Sequence, residues 1–81
     1  MKVTVFVTLK ADVLDPEGEA LRKASSSLGY EAVGRVRQGK LFEIDIEGRS
    51  QKEAEQLAET LAEKFLANPV IEDYRVERVE P

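Results

Sequence analysis

Leu66-Ala67-Asn68-Pro69-Val70-Ile71-Glu72-Asp73-Tyr74 holds the sharpest change of state in this chain. Asn68 tolerates the left-handed conformation that ends helices, so it reads as a helix terminus. Pro69 lacks the N–H a helix needs and pushes its predecessor out of the helical region. Val70 and Ile71 open a β-branched run suited to a strand. A helix therefore enters this junction and a strand leaves it. Upstream, Ala54, Leu57, Ala58, Leu61, Ala62 and Phe65 recur at helical spacing behind a Ser50/Glu53 capping box. Downstream, a strand is expected from about Val70 to Val79, with Tyr74 and Val76 on one face and Ile71 and Val79 on the other. The charges at Glu72, Asp73, Arg75, Glu77, Arg78 and Glu80 mark that strand as a guarded sheet edge.

The first half of the chain supplies the rest of the frame. Val3, Val5, Val7 and Leu9 alternate with Lys2, Thr4, Thr8 and Lys10, the pattern of a half-buried strand. Phe6 sits on the polar face of that alternation. Asp15 before Pro16 is a helix start, with Glu17 and Glu19 at the positive end of the helix dipole. Ala20, Leu21, Ala24 and Leu28 form one apolar stripe, and Gly29 closes the helix. Gly18, inside the first turn, costs helix propensity with no reason visible in the sequence. Residues 30–37 read as a second strand with Gly34 marking a bulge, and Gln38-Gly39 as a two-residue hairpin turn. Phe42, Ile44 and Ile46 alternate with Glu43, Asp45 and Glu47 in a third strand, and Gly48-Arg49 forms the next loop. The order β-α-β-β-α-β predicts an α+β, ferredoxin-like domain over 1–81: a four-stranded antiparallel sheet with both helices on one face.

With 81 residues this is one small domain, and association with other chains is a common way for such a domain to add buried area. Hydrophobic residues make up 42% and charged residues 35%, a globular balance. Twelve basic residues are scattered among sixteen acidic ones, so there is no basic face for nucleic acid or for an anionic membrane. Cysteine and histidine are absent, which excludes disulfides, thiol nucleophiles, cysteine zinc sites and imidazole bases. The first ten residues alternate instead of forming an apolar leader, so the chain is expected in the cytoplasm.

Few groups in the sequence can do chemistry. Glu43, Asp45 and Glu47 share a strand face, which is the usual way to solvate an exposed sheet rather than a converging catalytic pair. The five glycines form no phosphate-binding loop. Arg35, Arg37 and Lys40 bracket the expected hairpin tip and are candidates for gripping a phosphate or an acidic partner surface. Phe6, with Thr4 and Thr8 on the sheet face the helices leave open, suggests self-association.

Three segments belong together. They are Val3-Thr4-Val5 through Val7-Thr8-Leu9-Lys10 to Val13-Leu14-Asp15-Pro16-x-Gly18; Val36-Arg37-x-Gly39-Lys40; and Leu66 to Tyr74, with Gly29-Tyr30 between. In this order and at this length they closely resemble PurS, the small subunit of phosphoribosylformylglycinamidine synthase. The resemblance covers essentially the whole chain. It implies a non-catalytic subunit of an enzyme that converts formylglycinamide ribonucleotide, glutamine and ATP to formylglycinamidine ribonucleotide in purine synthesis. It also implies partners: a second copy of the chain, a glutaminase subunit that releases ammonia, and a large synthetase subunit that binds ATP and Mg. No cofactor and no autonomous catalysis are expected of the chain itself. Its expected contacts with partners are Asp15 and Pro16 at the first helix start and Arg35, Arg37 and Lys40 at the hairpin tip. The competing reading of the same topology is a regulatory module that binds a small effector.

Overall fold

The computed structural model describes residues 1–48 and 50–80. It contains strand β1 (Lys2–Leu9), helix α1 (Pro16–Ser27), strand β2 (Gly39–Asp45), helix α2 (Gln51–Leu61) continued by a π-helical turn (Ala62–Leu66), and strand β3 (Glu72–Glu80). The sheet is antiparallel with β1 in the centre, in the order β2-β1-β3. The α+β class is as expected, but the sheet has three strands, not four. Arg49, expected in a loop with Gly48, lies outside the described residues.

Residues 30–37 are the missing strand. Gly34 interrupts their alternation, and the arginines at 35 and 37 turn back to carbonyl groups at the end of β1. The hairpin turn expected at Gln38-Gly39 is lost with it. Gly39 is already paired with Thr8, and a Cβ on it would sit 2.8 Å from the Val7 carbonyl oxygen, so the glycine serves a close strand approach.

The core is a layer of valines under a stripe of alanines. Val3, Val5 and Val7 are 0–1% exposed, and Ala54, Ala58 and Ala62 facing them are 0% exposed. Alanine at i, i+4 and i+8 keeps that face of α2 flat, so the helix lies close to the sheet. Phe42 and Ile44 pair with Val5 and Val3 and pack against the same core, as their alternation predicts. Ser50 Oγ accepts the Glu53 N–H at 3.3 Å and donates to its carboxylate at 3.0 Å, so the helix starts where the sequence places it.

The end of α2 follows a different route from the one expected. The Ala67 N–H bonds the Ala62 carbonyl five residues back, a π-type bond that shifts the helical phase. Leu66 packs on the core as a result, and Phe65 stays 67% exposed although it completes the apolar stripe. No non-glycine residue has a positive φ, so Asn68 does not adopt the left-handed conformation. It organises the turn through hydrogen bonds instead. Its side chain accepts the Val70 N–H at 3.0 Å, its carbonyl accepts those of Ile71 and Glu72, and its own N–H donates to the Glu72 carboxylate at 2.7 Å. The strand begins only at Glu72, with Val70 78% exposed.

Within β3 a register shift opposite Thr4 and Val5 leaves Glu77 unopposed. This bulge brings Tyr74, Val76 and Val79 opposite Val7, Val5 and Val3, so Val79 faces the core with Val76 rather than away from it. Ion pairs along this edge join Lys10 to Asp73, Arg75 to Glu77, and Arg78 to Glu80. On the open face, the Arg75 guanidinium lies 5.2 Å from the centre of the Phe6 ring and covers it.

The second correction concerns α1. A right-handed crossover was expected to lay both helices on one face, yet only α2 covers the sheet. Helix α1 has no extended contact with a strand or with α2, and the molecule is drawn out to 50 × 27 × 13 Å.

Candidate docking surface

Helix α1 and the chain returning from it form an arm. The helix begins as its sequence dictates: Asp15 is extended (φ −112°, ψ 92°), its Oδ1 accepts the Gly18 N–H at 2.9 Å, and Pro16 follows. It closes at Gly29 (φ 95°), with the Tyr30 N–H reaching the Ser25 carbonyl. Ala20, Leu21, Ala24 and Leu28 hold the expected stripe, but none of them is covered. Leu21 is 50% exposed, Leu28 75% and Tyr30 64%, and Leu14 and Val33 extend the same apolar surface character. An apolar helix face left in water marks a contact surface.

The base of the arm gathers the residues singled out in the sequence. Asp15 Oδ2 accepts the Gln38 N–H at 2.9 Å, so one carboxylate joins the start of α1 to the start of β2. Those two backbone donors, Gln38 first and then Gly18, hold the Asp15 carboxyl below the usual carboxylate range, and the charge of Arg37 adds to the effect. Gly18 is buried, and a Cβ on it would overlap the Val36 carbonyl oxygen. That close approach is the reason for a glycine in the first turn. Arg37 donates through Nη2 to the carbonyls of Leu9 and Lys10, and Arg35 to that of Ala11 at 2.8 Å.

The five residues expected to touch partners therefore divide. Asp15, Pro16 and Lys40 line one open cleft of about 360 Å³, together with Val7, Leu9 and Glu72. Lys40 is 3.5 Å from the Glu72 carboxylate. Arg35 and Arg37 are spent on main-chain carbonyls beside that cleft. Sequence reasoning missed the role of Gln38, whose backbone N–H carries no side-chain signature, and it missed that the α1 stripe is uncovered. The stripe itself was visible in the spacing; which surface would cover it was not.

Nothing at this surface is arranged for bond-making. Among the described residues, no group of three His, Cys, Asp or Glu side chains gathers to hold a metal, and no buried side-chain N or O atom lacks a hydrogen-bond partner. Glu43 is paired with Lys2 at 2.6 Å. No helix among those residues is long and apolar enough to cross a membrane.

Comparisons with known proteins match this chain nearly from end to end. The family model PurS, described as phosphoribosylformylglycinamidine (FGAM) synthase, matches residues 2–80. The phosphoribosylformylglycinamidine synthase subunit PurS of Archaeoglobus fulgidus is 49% identical over 76 residues, covering 94% of this chain and 95% of the relative. The structure of Bacillus subtilis PurS in its C2 crystal form superposes with a TM-score of 0.84 at 48% identity, covering 98% of both chains. A chain in the structure of PurLQS from Thermotoga maritima superposes with a TM-score of 0.83 at 25% identity, covering 98% of this chain and 99% of that one.

Proposed function

This chain belongs to the PurS family, and from that premise we propose that it is the small, non-catalytic subunit of phosphoribosylformylglycinamidine synthase in purine biosynthesis. The observation that carries this reading is the match over residues 2–80, with the Archaeoglobus fulgidus relative covered to 95% of its length. Its surface supports the same conclusion: an uncovered apolar arm for contact, and no assembled group of chemical residues. The partners are the large synthetase subunit and the glutaminase subunit, as the PurLQS assembly of the Thermotoga maritima relative suggests. ATP and Mg are assigned to the large subunit, in keeping with the family resemblance; among the described residues of this chain no group of three His, Cys, Asp or Glu side chains gathers to hold a metal.

The work left to such a subunit is geometric. Ammonia released from glutamine in water becomes ammonium and loses its nucleophilic lone pair. Holding the glutaminase and synthetase in register, with water excluded between them, keeps the ammonia reactive until it meets the activated amide. A second copy of this chain covers the α1 stripe, since the Leu21 and Leu28 side chains have no cover within their own chain. Burying Leu21, half exposed, and Leu28, three-quarters exposed, contributes a corresponding share of the roughly 1.5–3 kcal/mol of a fully buried leucine. The assembly works in the cytoplasm.

Reconstitution tests this directly. With all three subunits, glutamine-dependent turnover should far exceed that of the two large subunits alone, while turnover on supplied ammonium should need only the synthetase. Equal glutamine-dependent rates with and without this chain would overturn the reading.

A further inference from the structure

The angle of the α1 arm is not set by core packing, because α1 has no extended contact with the sheet or with α2. Two loops carry it, residues 10–15 going out and 28–38 coming back, and loops of that length leave a helix free to swing. What fixes it is a closed ring of bonds at its base. Asp15 joins the first turn of α1 to the returning chain by accepting the Gly18 and Gln38 N–H groups, each at 2.9 Å. Gly18 lets the Val36 carbonyl approach so closely that no side chain fits between. Arg37 then ties the returning chain to the end of β1 through the Leu9 and Lys10 carbonyls. Asp15 and Gly18 together hold the first turn of α1 to the returning chain, and Arg37, beside the Arg35 bond to Ala11, holds the returning chain to the end of β1.

We propose that Asp15, Gly18 and Arg37 are positioning residues for the amidation: they lock the arm at the angle at which its apolar stripe meets the second copy of this chain within the assembled synthase. This rests on the subunit reading above. The leverage is large. A helix of twelve residues is about 18 Å long, so a swing of roughly 10° at its base moves its tip by about 3 Å. A misplacement of about 1 Å is enough to impair transfer between prearranged groups. None of the three residues needs to touch a reacting atom for this to hold. A regular antiparallel hairpin would have fixed residues 30–37 through main-chain bonds; the chain instead uses two charged side chains and a missing Cβ.

The experiment uses the reconstituted three-subunit complex with Arg37→Ala, Arg37→Lys, Gly18→Ala and Asp15→Asn. Because the chain has no cysteine, spin labels can be placed cleanly at Ser26→Cys on the arm and Glu59→Cys on α2. In the wild-type background the distance between labels should be narrowly distributed, and in Arg37→Ala and Gly18→Ala it should broaden while the sheet keeps its circular-dichroism signature. The ratio of glutamine-dependent to ammonia-dependent turnover should fall at least about tenfold in those variants, as displacement of prearranged groups predicts. Arg37→Lys should recover part of that ratio, since an ammonium keeps the charge and the N–H donors for the two carbonyls but sits on a shorter side chain. A narrow distribution in Arg37→Ala, or a broadened one with an unchanged turnover ratio, would overturn the proposal. If the wild-type chain itself proves dispensable for glutamine use, the subunit reading fails, and the label distances alone then decide whether the ring locks the arm.

Discussion

The two helices of this chain carry similar apolar stripes and meet opposite fates. On α2, Ala54, Ala58 and Ala62 are 0% exposed against Val3, Val5 and Val7; on α1, Leu21 and Leu28 are 50% and 75% exposed. The fully buried line on α2 is alanine, with Leu57 packing on the core beside it, whereas on α1 two alanines and two leucines are all exposed. A flat alanine face packs closely on a sheet within one molecule. A ridged leucine face offers protruding anchors, which suits a surface completed by another chain. Half of this small protein is thus a self-sufficient core, and the other half is a projection whose burial has to come from elsewhere.

The sharpest way to break that contrast is in the core half. Val5→Asp places a carboxylate between β2, β3 and α2 with no partner, and it should cost more than about 4 kcal/mol, enough to unfold a domain of this size in a urea titration. A milder comparison makes one substitution on both helices. Ala58→Leu overpacks the valine layer and should destabilise by roughly 1–3 kcal/mol. Ala24→Leu on α1, measured at concentrations too low for copies to associate, should stay within about 0.5 kcal/mol of wild type because its site is exposed. Equal costs on the two helices would mean that α1 packs on its own sheet.

The smallest effect should come from pH. Backbone donors from Gln38 and Gly18, with the charge of Arg37, hold Asp15 below its ordinary range. Its stabilising contribution is therefore complete above the ordinary aspartate value of about 3.9 and is lost as pH falls through the lower folded value. Protection of the Gln38 amide against exchange, taken relative to its intrinsic rate at each pH, should fall in that acid window, and Asp15→Asn should remove the dependence. The core amides of β1 should show no matching response there.

Much of the frame was legible because it rests on local chemistry. The Asp15-Pro16 and Ser50/Glu53 starts need only side chains within three residues of the helix, and the strict alternation at Val3, Val5 and Val7 admits one reading. The errors fall where non-local bonds decide. Alternation in residues 30–37 is broken at Gly34, and Arg35 and Arg37 found acceptors across the chain instead of a strand face. The bulge at Glu77 moved Val79 to the other face, and the π-type turn moved Phe65 out of its stripe; each adds one residue to a period, which spacing alone does not reveal. At the base of the arm, the Asp15-Pro16 helix start was legible from its motif, while Lys40, expected at a hairpin tip, lies within β2. The use of Gly18 was not legible, because its reason is a carbonyl eighteen residues away. Phe6 suggested self-association from the open sheet face; there the Arg75 guanidinium lies over its ring, and exposed apolar side chains occur both on the arm, at Leu21 and Leu28, and off it, at Leu41, Phe65 and Val70.

Mass in solution, measured by sedimentation equilibrium on the wild-type chain and on the Leu21→Asp/Leu28→Asp double variant, tests the arm's role most directly. The account predicts two or more copies for wild type and a folded single copy for the variant. A monomeric wild type, or a variant that associates as strongly as wild type, would contradict it.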